Sequence, residues 1–159
     1  TSNYAGTLLP GIREYTVTPG EKTTTISGKG KAGLKQEENY YFFYLPVCYK
    51  GITGKSYAYY NTSRSKNLYL PASVDENYSY DIQLPENLTL CTPIQEKKID
   101  NPIGSFKITL TSEGSSLHIE LALQIKKQLI TPAEYPAFRS LITEWTDRTR
   151  KPILFKTVQ

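Results

Sequence analysis

The most regular alternation of apolar and polar positions runs from Gly104 to Gln128. Phe106, Ile108 and Leu110 alternate with Ser105, Lys107, Thr109 and Thr111. After Ser112-Glu113-Gly114-Ser115 the same period of two resumes with Leu117, Ile119, Leu121, Leu123 and Ile125. This pattern predicts a β-hairpin with one buried face. At roughly 3.3 Å per residue its second arm would be about 30 Å long, enough to set the register of several neighbouring strands. Shorter strands are predicted over 12–18, 23–27, 40–45, 56–61, 67–70, 77–84, 88–92 and 152–158. In 77–84, Tyr78, Tyr80, Ile82 and Leu84 share one face and Ser79, Asp81 and Gln83 the other. Leu-Pro closes three of these strands, at 45, 70 and 84, and the unequal spacing argues against an internal repeat.

One segment departs from the period of two. Tyr40-Tyr41-Phe42-Phe43-Tyr44-Leu45 is aromatic on both faces, which implies a strand covered from both sides or one flank left open for contact; Pro46 stops it. After the long hairpin the period becomes helical. Thr131-Pro132-Ala133-Glu134 has the form of a capping box, with Pro at the first helical position and Ile130 and Tyr135 placed as a hydrophobic staple. Tyr135, Phe138, Leu141, Ile142 and Trp145 mark the apolar face of a helix over about 132–147. Pro136 removes one amide from its first turns, which fits a 3₁₀ turn or a helix that becomes regular only there. Many short antiparallel strands with one late helix and a final short strand predict a mainly β fold, an antiparallel two-sheet β-sandwich with the helix at one edge or end.

The chain length of 159 residues fits one domain, read as a linker or lead-in segment over 1–20 followed by a single β-sandwich over 21–159. With no Met and Thr1 at its start, the sequence reads as a processed or excised piece of a longer chain. A net charge of +4 with interleaved signs suits solvation rather than nucleic-acid binding, and no apolar run has the length of a membrane span. Cys48 and Cys91 have neither a disulfide framework nor metal-ligand spacing; buried thiols are favoured over a bridge.

Candidate chemistry is sparse. Gly28, Gly30 and Gly33 satisfy G-x-G-x-x-G, but a dinucleotide site also needs a helix beginning there, and an aromatic strand follows instead. Gly54-Lys55-Ser56 ends like a phosphate loop whose first glycine would fall at Tyr49, so it reads as a turn. No cofactor and no metal is expected. His118 lies on the polar side of the long strand, and pairing it with Cys48 or Cys91 would also require an orienting group. Glu37-Glu38 and Asp75-Glu76 read as solvated charges in loops, and no catalytic residue is assigned. Asn61, Asn77 and Asn87 each open a formal glycosylation sequon. The most open feature is a set of tyrosines, Tyr40, Tyr41, Tyr44, Tyr57, Tyr59 and Tyr60, able to form an aromatic binding surface for glycan or protein or to pack against a neighbouring domain.

Three stretches carry a family resemblance: Glu76-Asn77-Tyr78-Ser79-Tyr80-Asp81-Ile82-Gln83-Leu84-Pro85-Glu86, Asn101-Pro102-Ile103-Gly104-Ser105-Phe106, and Ile130-Thr131-Pro132-Ala133-Glu134-Tyr135-Pro136-Ala137-Phe138-Arg139. Together they resemble the C-terminal β domain of bacterial secreted transglutaminase-like proteins, which follows a β-rich N-terminal domain and a papain-like core. The resemblance implies a non-catalytic accessory domain, secreted or periplasmic, whose partner is its own upstream transglutaminase-like domain. The family's catalytic Cys, His and Asp belong to the core, so none is carried over. The alternative expectation is an independent extracellular glycan- or protein-binding module.

Overall fold

The computed structural model describes residues 14–21, 24–31, 33–47, 51–52, 60, 62–93 and 95–158. The predicted hairpin forms the middle of a four-stranded antiparallel sheet. Strands β9 (Gly104–Glu113) and β10 (Ser116–Ile125) are its arms, flanked by β6 (Val74–Gln83) and β8 (Gln95–Asn101) in the order β6-β10-β9-β8. Its turn is tighter than the four polar residues suggested, because Ser112 and Glu113 still pair with Leu117 and Ser116. Only Gly114 and Ser115 remain outside the ladder. Gly114 takes φ 56°, and Gly at the first central position is what a type II′ hairpin turn requires.

The second sheet has the order β3-β4-β12-β7, from strands Lys35–Glu37, Tyr40–Phe43, Ile153–Thr157 and Leu88–Leu90 respectively. The two four-stranded sheets form the sandwich. Two small ribbons complete the fold: β1 (Glu14–Pro19) with β2 (Thr24–Lys29), and β5 (Leu68–Tyr69) with β11 (Leu129–Ile130). Residues 14–19, read as part of a lead-in segment, are therefore one arm of a hairpin. The strand expected over 56–61, apart from Tyr60, and residues 1–13 fall outside the described residues.

The inward face of β9 and β10 is covered twice. Near the β8–β9 turn, Phe106, Ile108, Leu121, Leu123 and Ile125 pack under helix α1 (Tyr135–Arg150), which contributes Tyr135, Phe138, Leu141, Ile142 and Trp145. Toward the Gly114 turn, Leu110, Leu117 and Ile119 pack under the second sheet with Leu88, Ile153 and Phe155. The helix thus lies over half of the sheet's face, not at an edge. Each such side chain contributes roughly 1.5–3 kcal/mol when fully buried.

The helix becomes regular at Tyr135, three residues later than the 132 expected, and runs on to Arg150. The Glu134 carboxylate accepts from the Thr131 backbone N–H at 3.0 Å and from its hydroxyl at 2.9 Å. This is half of a capping box, since no side chain caps the helix amides in return. Pro136 sits at the first positions, where its missing N–H costs nothing. Asn101 ties this helix to the sheet. Its Oδ1 accepts from Ile103 N–H at 2.9 Å and Gly104 N–H at 3.3 Å, and its Nδ2 donates to the Ala137 carbonyl at 3.1 Å. Gly104 is required for a related reason: a Cβ there would lie 1.8 Å from the Gln124 carbonyl oxygen.

β8, which ends on Asp100 and Asn101, was not among the strands predicted from sequence. Among its seven positions only Ile99 is a partly buried apolar residue packed on the core. An edge strand need not present an apolar face, so it leaves no period of two to read.

Candidate functional site

Two open sheet faces and one inward carboxylate hold the candidate chemistry. On the outer face of the first sheet, the antiparallel register places His118 of β10 directly opposite Asp81 of β6. His118 Nδ1 lies 2.7 Å from Asp81 Oδ1, and its Nε2 lies 3.6 Å from Glu120 Oε1. Glu120 Oε2 in turn accepts from Lys107 Nζ at 3.2 Å. The hydrogen bond to Asp81, aided by Glu120, raises the His118 pKa above its ordinary value; the bond from Lys107 lowers that of Glu120. The result is a row of alternating acidic and basic groups that favours the protonated imidazole. A shallow depression beside it is lined by Asp81, Gln83, Thr111, Glu113, Ser116 and His118.

His118 therefore has the orienting carboxylate that local sequence did not reveal, but no thiol beside it among the described residues. Cys91, a free and partly exposed cysteine just past the end of β7, belongs to the second sheet, where its N–H donates to the Leu154 carbonyl at 2.8 Å. Cys48 lies outside the described residues. Among the described residues, no group of three His, Cys, Asp or Glu side chains is placed to hold a metal ion. Gly28 lies within β2, opposite Tyr15, and the residues after Gly33 form β3, so no helix N-terminus meets those glycines.

The outer face of the second sheet has a different chemistry. Along β4, Tyr41 and Phe43 turn inward onto the Phe155 side of the core, while Tyr40, Phe42 and Tyr44 turn outward. Tyr40 is 50% and Tyr44 46% exposed, and Leu154, directly opposite Phe42, is 38% exposed. The Phe42 and Tyr44 rings meet edge to face, 6.2 Å apart at 85°, and Lys35 Nζ stands 5.8 Å from the Tyr44 ring centre. Lys35 and Leu154 flank Phe42 on either side, and Glu37 and Lys156 flank Tyr40.

Of the six tyrosines read as a possible surface, Tyr40 and Tyr44 share this face, and Tyr41 lies on its reverse. Tyr60 packs edge to face on Phe138 at 5.5 Å in the helix-covered core. Tyr57 and Tyr59 lie outside the described residues.

Glu76 needs a correction. It is not a solvated loop charge but an inward residue of β6, opposite Leu123. Its Oε1 accepts from Ile52 N–H at 2.7 Å and its Oε2 from the Tyr78 hydroxyl at 3.2 Å. Burial raises its pKa, and these two bonds offset only part of the shift. The sequence signal was available: Glu76 is in phase with Tyr78, Tyr80 and Ile82. Extending that alternation two residues toward the N-terminus finds it.

Comparison with solved structures finds a crystal structure from Parabacteroides distasonis, of a protein described as a putative protease, with 32% sequence identity and a TM-score of 0.65. The match takes in 76% of this chain and 24% of that one, so the chain spans about a quarter of that protein's length. No curated protein matches the sequence. Residues 39–155 match the family described as a domain of unknown function with a solved structure, DUF3858, and the chain belongs to that family.

Proposed function

We propose that this domain is a non-catalytic accessory module of a longer transglutaminase-like polypeptide, which packs on the catalytic part or shapes access to it. The observation that carries the reading is the match itself: a domain 32% identical to this one makes up 24% of a longer chain described as a putative protease. The site geometry supports it. His118 is oriented by Asp81 but stands on an open sheet face, with Cys91 on the other sheet. A papain-like core supplied by the same polypeptide would carry the nucleophile, and the location would be secreted or periplasmic. A second reading, an independent binding module, draws on the exposed Tyr40, Tyr44 and Leu154.

The test compares the full-length parent protein with a form lacking this domain. Under the accessory reading, deletion lowers the thermal midpoint of the remaining part or changes its peptide-hydrolysis or transfer rate. Unchanged stability and rate would defeat it and leave the independent module.

A further inference from the structure

The two sheets finish their outer faces differently. The outer side of the first sheet is polar across all four strands, as the row Lys107, Glu120, His118 and Asp81 illustrates. The second sheet turns Tyr41, Phe43 and Phe155 inward and presents outward an apolar cluster, Tyr40, Phe42, Tyr44 and Leu154, bordered by the charged Lys35, Glu37 and Lys156. A sheet with apolar side chains on both faces is the pattern of a sheet covered on both faces.

The location of the domain ends says what covers it. The family match begins at residue 39, next to Tyr40 of β4, and ends at residue 155, in β12. These two strands are hydrogen-bonded neighbours, with Phe155 opposite Tyr41 and Lys156 opposite Tyr40. The chain thus enters the matched part from β3 and leaves it through β12, both in this one sheet. A tethered neighbour has its highest effective concentration near its points of attachment. In the related solved structure, three quarters of the chain lies beyond the matched part, so such a neighbour has a source.

Ring geometry narrows the chemistry of the occupant. A sugar ring seats on flat, coplanar aromatic rings, whereas Phe42 and Tyr44 meet at 85° and make a raised cluster with Lys35 beside it. Such a cluster suits a protein pocket, which takes aromatic anchors with their hydroxyl tips at a polar rim. At its border two lysines, Lys35 and Lys156, outnumber the single carboxylate of Glu37, which calls for carboxylates facing those lysines on the opposing rim.

Resting on the accessory-domain reading, we propose that the outer face of the second sheet, centred on Tyr40, Phe42, Tyr44 and Leu154, is the surface on which another domain of the same polypeptide seats, through an apolar pocket with an acidic rim.

The experiment places the photoreactive residue p-benzoylphenylalanine at Tyr44 in the full-length parent protein and, separately, at Thr111 on the polar outer face. The expected result is an internal crosslink from position 44 to a segment of the parent protein outside residues 1–159, with the mass of a single chain, and background only from position 111. An internal crosslink from position 111 in place of 44, or as strong, overturns the choice of face but leaves the accessory reading intact. A crosslink from 44 that doubles the mass overturns the proposal in favour of a second copy. No crosslink from either position overturns it as well. In that case unchanged stability and rate in the domain-deleted protein would end the accessory reading too, while a change in either would preserve it.

Discussion

The inward face of β9 and β10 is covered over one half by a helix and over the other by a sheet, and the two halves end differently. Over the helix half, α1 turns Tyr135, Phe138, Leu141, Ile142 and Trp145 down and leaves Arg139, Ser140 and Thr143 to solvent. That half is tied by Asn101 to the helix backbone, by the Tyr135 hydroxyl to the Tyr60 carbonyl at 2.6 Å, and by Lys97 to Glu144. Over the sheet half, the covering layer turns Ile153 and Phe155 down but leaves Tyr40, Tyr44 and Leu154 in the open. A helix has one stripe to bury and can offer polar residues on the rest of its circumference. A strand has only two faces, and where both are apolar a second cover is called for. One half of the domain is closed, and the other leaves an aromatic cluster open.

The sharpest way to break this contrast is to remove one large side chain from each half. Trp145 is 1% exposed and meets Tyr78 at 5.8 Å; Phe155 is fully buried in the smaller cluster. Trp145→Ala should cost about 4 kcal/mol of unfolding free energy and Phe155→Ala about 3, as for other buried aromatics. The more telling readout is amide exchange. Phe155→Ala should speed exchange in β4, β7 and β12 while the central amides of β9 and β10 keep their protection, because the helix-covered half holds the hairpin without the second sheet. Equal loss of protection in both sheets would make the sandwich one cooperative unit and remove the distinction between its halves.

A smaller effect tests the closed half at a partly buried carboxylate. Glu76 is a carboxylate on an otherwise apolar inward face, and burial raises its pKa. With the folded value above the unfolded one, the native state binds the proton more tightly. Stability is therefore highest below the unfolded value of about 4.3 and falls as pH rises through the raised native value. Glu76→Gln keeps an acceptor for Ile52 N–H and removes the titration. In a pH series of denaturant melts, the variant should match the parent at low pH and exceed it at neutral pH, by less than either core truncation costs. A parent and variant that keep a constant difference from pH 4 to 8 would mean that Glu76 is solvated after all.

How far the sequence revealed this architecture follows from how local each signal is. The long hairpin was readable because its alternation needs no partner to be seen, and Pro136 with Glu134 located the helix start to within three residues. β8 was missed because an edge strand with Ile99 as its one apolar side chain has no pattern. The two-sided aromatic character of β4 was visible, but not which of its rings faced outward. The Asp81–His118 pair depends on the register between strands 37 positions apart in sequence, which no local pattern encodes. Glu76 was readable in principle, since it is in phase with Tyr78. It was missed because the strand was read as starting at Asn77, three residues after β6 begins, which left Glu76 in the preceding loop.

The smallest expected effect separates an open face from a merely untidy one. If Tyr40, Phe42, Tyr44 and Leu154 await an external partner, replacing Tyr44 and Leu154 together by Ser should cost this chain little. The double substitution removes one edge-to-face ring pair and one cation–π interaction, worth about 1 kcal/mol in total at an exposed site. It should also clearly reduce retention on a hydrophobic-interaction column, whereas His118→Gln with Thr111→Ser on the polar face should leave retention unchanged. A destabilisation approaching the ~4 kcal/mol of a core truncation would mean that these rings are already packed within the chain. Both halves of the hairpin would then be closed in the same sense, and the second sheet would have no face left to offer a neighbouring domain.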